Sequence, residues 1–380
     1  MQYRRFGKTE IPMPVFSCGG MRYQHSWDDA EAPGITDAGQ ENLRRTIFQA
    51  LDHGINHIET ARDYGTSEVQ LGQILPEIPR DDLILQTKVP PYKDPNEFED
   101  ALETSLANLR MDSIDLFAFH GVNLPEHLEW IEQGCYQVVK RWQKEGRIRH
   151  IGFSTHGTTD LIVKTIQTGL FDYVNLHWYY FMQKNEAAVL AANQKDMGVF
   201  IISPSDKGGK LYEPSEKLTG LCEPYSPMVF NNLFCLSSPL IHTLSIGASC
   251  PTDFDEHLKT LPLLEEGVDT FEIETNIQSA ILQAHGPDWM KDWDKGLPEI
   301  HRTPDEINIY EILRFYTLGT ALDMTEFGKM RYKLLGEKNH WFPGFQVGQP
   351  DRDKLLKSLI NSPFPERVVD SLLKAHKMFK

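Results

Sequence analysis

The sequence predicts an α/β fold, a (β/α)8 TIM barrel, followed by an all-helical C-terminal extension. Short apolar segments alternate eight times with amphipathic helical segments along residues 15–264. This alternation is typical of a parallel sheet that helices cover on both faces. Three successive apolar segments also end near ionisable side chains: Glu59 and Tyr64, then Lys88, then His120. In a parallel barrel, such residues meet at the edge where active sites form.

The N-terminal elements predict a hairpin, a first barrel strand and a helix. Residues 2–6 and 11–14, joined across Gly7, form the predicted hairpin, which would plug the bottom of a barrel. Residues 15–20 form the first core strand, and an apolar stripe predicts a helix over 42–53 that Gly54 ends. An open doubly wound sheet is the rival fold. It would need a G-x-G-x-x-G turn after the first strand, which Cys18-Gly19-Gly20-Met21 does not supply.

The remaining barrel elements follow in regular order. Predicted strands cover residues 57–61, 83–89, 114–120, 150–154, 173–180, 198–203 and 243–247. A helix from Ser67 carries Val69, Leu71, Leu75 and Ile78 on its apolar face, and further helices are predicted over 94–109, 125–144, 160–168, 186–196 and 253–264. Asp94 and Pro95 have the residue types of an N-cap and a first helical position.

After the barrel the pattern becomes entirely helical. Helices are predicted over 271–284, 307–318, 324–335, 353–360 and 365–378. The predicted domains are therefore a barrel at 1–265 and a helical domain at 266–380. A length of 380 residues fits a barrel of about 250 residues plus an extension.

Composition excludes several classes of function. The formal net charge is -16, which argues against nucleic acids or anionic membranes as main partners. Five widely spaced cysteines without a CxxC pair indicate reduced thiols in a cytoplasmic protein. The N-terminus lacks the apolar core of a signal peptide, and no apolar run reaches the roughly 18 residues of a membrane span.

The four residues Glu59, Tyr64, Lys88 and His120, here called the strand-end tetrad, suggest a proton relay for carbonyl reduction. A nearby ammonium lowers the pKa of a phenol and favours the phenolate. A carboxylate would keep Lys88 charged, His120 would hydrogen-bond a carbonyl oxygen, and Tyr64 would donate the proton. Each residue alone is more simply explained as a polar side chain at a strand end, but four of them across three strands favour the catalytic interpretation.

These segments resemble the aldo-keto reductase family. The family motif stands here as Gly54-Ile55-Asn56, Thr60-Ala61, Tyr64-Gly65, Ser67-Glu68 and Leu71-Gly72, with Thr-Lys-Val after the third strand and Phe-His-Gly after the fourth. The resemblance implies a (β/α)8 barrel, NADPH or NADH as cofactor, a small-molecule carbonyl substrate and the strand-end tetrad as catalytic residues. The family has Asp where this chain has Glu59, a departure that puts the rate in doubt.

The same resemblance implies the cofactor-binding residues. Ser154, Thr155 and Asn175 would hold the nicotinamide, and a glycine-containing loop would approach the diphosphate. The segment near Asp253 and Asp255 would meet the adenosine; because both are acidic, weak discrimination for NADPH is expected. The full set of expected cofactor contacts is Gly20, Met21, Ser154, Thr155, Asn175, Ser203, Lys207, Gly208, Gly209, Gly247, Ser249 and Asp255.

Three alternatives remain open at the level of sequence. A barrel of this kind could be a non-catalytic sensor that binds a nicotinamide cofactor. His120, His156 and His177 could instead bind a metal, although the His-x-His of metal-dependent barrels is missing from the first strand. The aromatic residues 178–181 could line a substrate pocket or lie in the core.

The C-terminal extension resembles that of predicted aldo-keto reductases with ferredoxin-type cysteine clusters. The matching segments are residues 307–314, 331–336 and 340–344. Residues 251–380 contain no cysteine, and Thr303-Pro304 and Ser362-Pro363 stand where those relatives have Cys-Pro. No iron-sulfur cluster is expected, because a [4Fe–4S] cluster needs about four thiolates. Burial of Ile309, Ile312, Leu313 and Phe315 alone would hold the domain together.

Overall fold

The computed structural model describes residues 1–380, which fall into two compact units. The first comprises residues 1–208 and 231–268, and the second comprises 209–230 and 269–380. Segment 209–230 thus joins the second unit, whereas the sequence placed it within the barrel domain at 1–265. The helix Glu216–Cys222 in this segment packs against the helix Phe271–His285, a long-range contact that local patterns do not report.

The first unit is a closed barrel of eight parallel strands, as predicted, preceded by an antiparallel hairpin. The hairpin strands are β1 (Tyr3–Arg5) and β2 (Pro12–Pro14). The barrel strands are β3 (Phe16–Gly19), β4 (His57–Glu59), β5 (Ile84–Val89), β6 (Ile114–Phe119), β7 (Ile148–Ser154), β8 (Tyr173–Leu176), β9 (Gly198–Ile201) and β10 (Thr243–Ile246). Each strand pairs with the next in parallel, and β10 pairs with β3 to close the sheet.

Helices follow the strands around the barrel. They are α1 (Asp37–Asp52), α2 (Ser67–Gly72), α3 (Pro95–Leu109), α4 (Pro125–Trp130), α5 (Tyr136–Lys144), α6 (Thr159–Gln167), α7 (Glu186–Gln194), α10 (Asp255–Leu258) and α11 (Thr260–Glu265). Between α7 and α10, α8 (Glu216–Cys222) belongs to the second unit, and α9 (Pro227–Ser237) begins in the second unit and ends in the first. The predicted helix over 125–144 contains a π turn at Ile131–Cys135. There Gly134 packs against Pro95, so closely that an added Cβ would lie 2.1 Å from the proline ring.

Several helix boundaries differ from the prediction, and three of the differences lie in the barrel region. α1 begins five residues early, since Thr36 accepts a hydrogen bond from the Gly39 amide at 3.1 Å and caps it. α2 ends at Gly72, where an added Cβ would lie 1.9 Å from the carbonyl oxygen of Asn108. The predicted helix over 253–264 is instead a 3-10 turn, Pro251–Phe254, followed by α10 and α11.

The hairpin supplies the plug at the bottom of the barrel. Phe6 is fully buried, and its ring centroid lies 5.6 Å from those of Tyr173 and His242. Gly198 at the start of β9 makes room for this ring, because a Cβ there would lie 2.5 Å from it. The filled lower end leaves the opposite rim, at the carboxyl ends of the strands, for the polar residues.

The second unit is helical, in agreement with the predicted extension. After α8 it contains α12 (Phe271–His285), α13 (Pro287–Asp292), α14 (Ile309–Leu322), α15 (Thr325–Lys333), α16 (Arg352–Ser358) and α17 (Pro365–Phe379). All four apolar residues expected to hold it together are buried in α14. They are not alone, because Glu311 and Arg314 form a buried ion pair of 2.7 Å on the same helix. That apolar burial alone holds this unit together stays a prediction.

The positions compared with cluster cysteines hold hydrogen-bonded hydroxyl groups. Thr303 Oγ1 donates to the carbonyl oxygen of Ile300 at 2.8 Å, and Ser362 Oγ accepts from the Phe364 amide at 3.2 Å. Cys222, on α8, is the one cysteine in the second unit. The absence of a cluster stays a prediction for iron analysis. No helix in the structure has both the length and the apolarity needed to cross a membrane.

Candidate active site

The strand-end tetrad converges at the upper rim of the barrel. Glu59 ends β4, Lys88 lies near the end of β5, and His120 directly follows β6. Tyr64 lies on the loop between β4 and α2. The parallel register places Glu59 beside Gln86 and Lys88 beside Ala118, so neighbouring strands bring these side chains together.

Lys88 is the centre of this group. Its ammonium contacts the Glu59 carboxylate and donates to the Thr60 carbonyl oxygen at 2.8 Å and to Tyr64 Oη at 3.3 Å. Lys88 is 1% exposed and Glu59 3%. Burial lowers the pKa of Lys88 well below its ordinary value, whereas the Glu59 contact favours the charged ammonium. Despite its extra methylene, Glu59 reaches the lysine.

Tyr64 is held as a phenol rather than a phenolate. Burial raises its pKa above the ordinary value of 10.0, and the charge of the adjacent Asp63 raises it further. The pKa of Tyr64 is therefore raised, whereas the sequence predicted that Lys88 would lower it, because desolvation of the phenolate outweighs the attraction of the ammonium. A protonated Tyr64 is the form that donates a proton.

His120 lies on the other side of Tyr64, with the two rings edge to face and their centroids 5.5 Å apart. Burial lowers the pKa of His120, so its neutral form dominates at pH 7. Asp63 Oδ2 lies 3.5 Å from His120 Nδ1, a contact that the sequence analysis missed. The sequence did contain one sign of this contact, because Asp63 is an acidic residue immediately before Tyr64, the candidate proton donor.

The loop that carries Tyr64 is fixed by its neighbours. Gly65 has φ +53°, and an added Cβ would lie 2.0 Å from the Ser26 carbonyl oxygen. That oxygen accepts from the Thr66 amide at 3.0 Å. The contact positions Trp27, whose ring lies edge-on to Tyr64 at 6.5 Å and which is 64% exposed. Trp27 was not among the predicted site residues.

Two of the expected nicotinamide contacts suit an amide ligand. Asn175, on β8, has both amide atoms buried without a hydrogen-bond partner in the protein. Ser154, its register neighbour on β7, accepts from the Gly121 amide at 3.1 Å through Oγ, which leaves its proton available for donation. A carboxamide group supplies the donor and acceptor that Asn175 requires. The neighbouring Thr155 donates instead to the Val122 carbonyl oxygen at 2.8 Å.

The remaining expected cofactor residues lie on loops. Gly20 is closely packed, since a Cβ would lie 2.7 Å from the Glu59 carbonyl oxygen, and Met21 follows it with partial exposure. Ser203 has φ +53°, and a Cβ on Gly208 would lie 1.8 Å from the Pro204 carbonyl oxygen. Gly209, with φ +137°, begins the second unit.

The segment after β10, which is expected to contact the adenosine, forms hydrogen bonds to the carboxylate of Asp253 within the same segment. Asp253 Oδ2 accepts from the Ser249 amide at 2.7 Å and from Ser249 Oγ at 2.8 Å. Burial opposes ionisation of Asp253, but these hydrogen bonds outweigh it and lower its pKa. Asp255 is exposed at the start of α10. The side chain of Arg22, another residue that sequence reasoning missed, lies against Gly247, where a Cβ would lie 2.9 Å from it.

The structure bears on two of the alternative interpretations, the metal site and the aromatic substrate pocket. His156 Nδ1 lies 2.9 Å from His177 Nε2, but no group of three or more His, Cys, Asp or Glu side chains is placed to hold a metal ion. Trp178 and Tyr179 are buried and belong to the hydrophobic core, with Trp178 stacked on Phe234 at 5.0 Å. These aromatic residues therefore stabilise the barrel.

Comparison with known proteins shows similarity to aldo-keto reductases. The model of the aldo/keto reductase family matches residues 17–223. L-galactose dehydrogenase of Arabidopsis thaliana is 26% identical over 273 residues, which cover 60% of this chain and 81% of that protein. The NADH-specific methylglyoxal reductase of Escherichia coli is 28% identical over 225 residues, covering 53% of this chain and 67% of the reductase.

Solved structures agree in fold. The holo form of aldo-keto reductase AKR11C1 from Bacillus halodurans superposes with a TM-score of 0.58 at 20% identity. The match covers 73% of this chain and 96% of that protein. At this identity, the likeness concerns the barrel fold.

Proposed function

The chain belongs to the aldo/keto reductase family of NAD(P)H-dependent oxidoreductases, and on that premise we propose that it reduces an aldehyde or ketone to an alcohol with Tyr64 as proton donor. The observation that carries the proposal is the Lys88 ammonium, which contacts both Glu59 and Tyr64 Oη in a buried site. Four chemically matched groups within contact of one another exceed what structural roles at single strand ends require.

The chain's own residues support each part of this reaction. When bound, a nicotinamide cofactor supplies the hydride, and Asn175 and Ser154 would hold its carboxamide. Neutral His120 would donate a hydrogen bond to the carbonyl oxygen and orient it towards Tyr64. The Tyr64 phenol would then donate its proton to that oxygen as negative charge develops, while the Lys88 ammonium, 3.3 Å away, stabilises the forming phenolate.

Turnover of a panel of aldehydes and ketones, monitored through the oxidation of NADPH or NADH, tests the proposal. The panel combines short-chain, aromatic and dicarbonyl substrates, including methylglyoxal. Consumption of cofactor and formation of the alcohol are the expected results. A protein that binds either cofactor tightly but converts no substrate would be the sensor instead.

The reduced cysteines and the carbonyl chemistry are consistent with the cytoplasm as its location.

The rate of reduction should depend little on pH between pH 6 and about 9. Burial and Asp63 raise the pKa of Tyr64, so its phenol stays protonated across this range. Burial lowers the pKa of Lys88, but the contact with Glu59 opposes this and should keep the ammonium charged. A pH profile of kcat/KM checks this, with Asp63→Asn as the comparison. Removal of the neighbouring carboxylate lowers the pKa of Tyr64, so the alkaline fall should move to lower pH. A wild-type profile that falls with an apparent pKa near 8 would contradict the assignment.

Discrimination between the two cofactors should be weak, with Kd values for NADPH and NADH less than a hundredfold apart. A 2′-phosphate favours Arg or Lys, but the segment carries Asp253 and Asp255, and Lys259 pairs with Glu256 at 2.6 Å. Asp255→Arg should strengthen NADPH binding roughly tenfold and leave NADH unchanged. Asp160→Arg is the control variant, because it makes the same charge change at the exposed start of α6 and should leave the affinity for both cofactors unchanged. A hundredfold wild-type preference for NADPH would refute the interpretation.

A further inference from the structure

Two buried hydroxyl groups link the carboxyl ends of three neighbouring barrel strands. Thr60 directly follows β4 and Ser67 is the first residue of α2, and both side chains are fully buried. Their hydroxyl oxygens lie 2.7 Å apart. Ser67 Oγ donates to the carbonyl oxygen of Gly20, which follows β3, at 3.0 Å. The Thr60 carbonyl oxygen accepts from the Lys88 ammonium on β5 at 2.8 Å. We refer to Thr60 and Ser67 as the hydroxyl bridge.

The direction of the hydrogen bonds in the hydroxyl bridge follows from the Gly20 carbonyl group. A carbonyl oxygen only accepts, so the single hydroxyl proton of Ser67 points to Gly20. Thr60 Oγ1 therefore donates to Ser67 Oγ. Loss of the Ser67 hydroxyl would remove both the acceptor of Thr60 and a donor to Gly20, at a position that bulk water does not reach.

The hydroxyl bridge also holds the loop that carries the proton donor. The Ser67 amide donates to the Tyr64 carbonyl oxygen at 3.1 Å. The Thr60 amide donates to the Gln86 carbonyl oxygen on β5 at 2.9 Å, so Thr60 is fixed through its amide, its hydroxyl and its carbonyl group. Lys88 and Tyr64, which are 3.3 Å apart at Nζ and Oη, are thus both attached to the bridge.

The other end of the hydroxyl bridge is a closely packed turn. An added Cβ at Gly20 would lie 2.7 Å from the Glu59 carbonyl oxygen and 3.0 Å from Ser67 Oγ, so no larger residue fits there without a shift. Gly20 and Met21 are among the expected cofactor contacts. The bridge therefore connects the ammonium beside the proton donor with a loop that is expected to contact the cofactor.

We propose that Thr60 and Ser67 are positioning residues of the proposed carbonyl reduction. Their hydroxyl groups hold the Lys88 ammonium at the distance from Tyr64 that proton transfer requires, and they join both groups to the cofactor loop. The stabilisation of a forming phenolate depends on its distance from the ammonium, and a displacement of about 1 Å can lower a rate about a hundredfold. This inference rests on the proposed reduction, which it deepens by naming two residues that act through Lys88.

Two substitutions of Thr60 separate the effect of its hydroxyl group from that of its methyl group. Thr60→Val removes the hydroxyl and keeps the shape, whereas Thr60→Ser keeps the hydroxyl. Thr60→Val should lower kcat roughly tenfold, because Lys88 is displaced. The KM for the aldehyde and the Kd for the cofactor should stay near wild type, because Ser67 still donates to Gly20. Thr60→Ser should retain most of the wild-type kcat.

Thr165→Val is the matched control for the Thr60 variants. It deletes a 2.8 Å hydrogen bond of a fully buried threonine on α6 and should leave kcat and the cofactor Kd unchanged. Equal losses of kcat in Thr60→Val and Thr60→Ser would assign the effect to packing and overturn the inference. A wild-type kcat in Thr60→Val would also overturn it.

Ser67→Ala tests the link to the cofactor loop, because it breaks both ends of the hydroxyl bridge. It should lower kcat as much as Thr60→Val does and, in addition, weaken cofactor binding, since Gly20 loses a hydrogen-bond donor. Steady-state kinetics and titration of NADPH and NADH by fluorescence measure the two effects. A wild-type cofactor Kd or a wild-type kcat in Ser67→Ala would contradict the proposed role of Ser67.

Urea unfolding tests the action on Lys88 without turnover. In the variant Glu59→Gln/Lys88→Met, no ammonium reaches the Thr60 carbonyl oxygen. Thr60→Val should therefore destabilise this variant less than it destabilises the wild type, because part of its effect in the wild type comes from the displaced ammonium. Equal destabilisation in the two backgrounds would overturn the inference. If the wild type converts no aldehyde or ketone, the proposed reduction is refuted, while the unfolding data still decide whether Thr60 positions Lys88.

Discussion

Replacement of Tyr64 by phenylalanine should lower kcat by roughly 10²- to 10⁴-fold, the usual contribution of a positioned proton donor. The substitution removes only the hydroxyl group that Lys88 contacts at 3.3 Å and retains the ring that packs edge to face on His120. Cofactor affinity should therefore stay at the wild-type value. Steady-state kinetics with the best aldehyde, and cofactor titration by fluorescence, measure the two quantities.

Tyr136→Phe is the matched control for this loss. Tyr136 lies on α5, away from the tetrad, and its hydroxyl donates to the Leu170 carbonyl oxygen at 3.1 Å. Its removal deletes a hydrogen bond of ordinary strength and should leave kcat unchanged. If Tyr64→Phe reduces substrate as fast as the wild type, another group donates the proton and the mechanism is wrong.

Replacement of Lys88 by methionine should abolish activity and destabilise the barrel by about 3–5 kcal/mol. The variant leaves the Glu59 carboxylate in a buried site without its ammonium partner, and an uncompensated buried charge carries a cost of that size. The double variant Glu59→Gln/Lys88→Met buries neither charge. It should recover most of the lost stability and none of the activity, because the ammonium beside Tyr64 is still missing.

Urea unfolding of the wild type, both single variants and the double variant gives the coupling free energy between Glu59 and Lys88. The pair Arg44–Glu77 provides the control cycle, since its 2.8 Å ion pair joins side chains that are 43% and 41% exposed. Water and ions screen an exposed pair, so its coupling should be below about 1 kcal/mol. An equally small coupling free energy between Glu59 and Lys88 would show that burial does not strengthen the interaction of this pair.

The elements and residues that could be predicted from the sequence are those that depend on neighbouring residues in the chain. Each barrel strand and most helices follow from apolar periodicity, because a strand or helix reports its buried face in the spacing of its own residues. The tetrad was also predictable, since parallel strands that end in ionisable residues deliver them to one rim. Glu59 illustrates the limit: its identity was plain in the sequence, but its contact with Lys88 depends on the register of β4 and β5.

Several features depended on residues distant along the chain. Burial reversed the expected shift of the Tyr64 pKa, because desolvation depends on the whole shell around the phenol. The Asn108 carbonyl oxygen leaves no room for a Cβ at Gly72, the last residue of α2, and segment 209–230 joins the second unit through packing against α12. The buried pair Glu311–Arg314 also needed the fold, since residues three apart on a helix look like an exposed ion pair until their burial is known.

The sequence by itself determined the barrel, the helical extension and the identities of the four tetrad residues, because periodicity and strand-end chemistry are local properties. Only the tertiary structure decided that Asp63 approaches His120, that both amide atoms of Asn175 are buried without partners and that His156, His177 and Lys207 converge. The physical reason is that distances and desolvation arise from closure of the barrel. Closure joins segments up to about 50 residues apart in this cluster, a separation over which no periodic pattern extends.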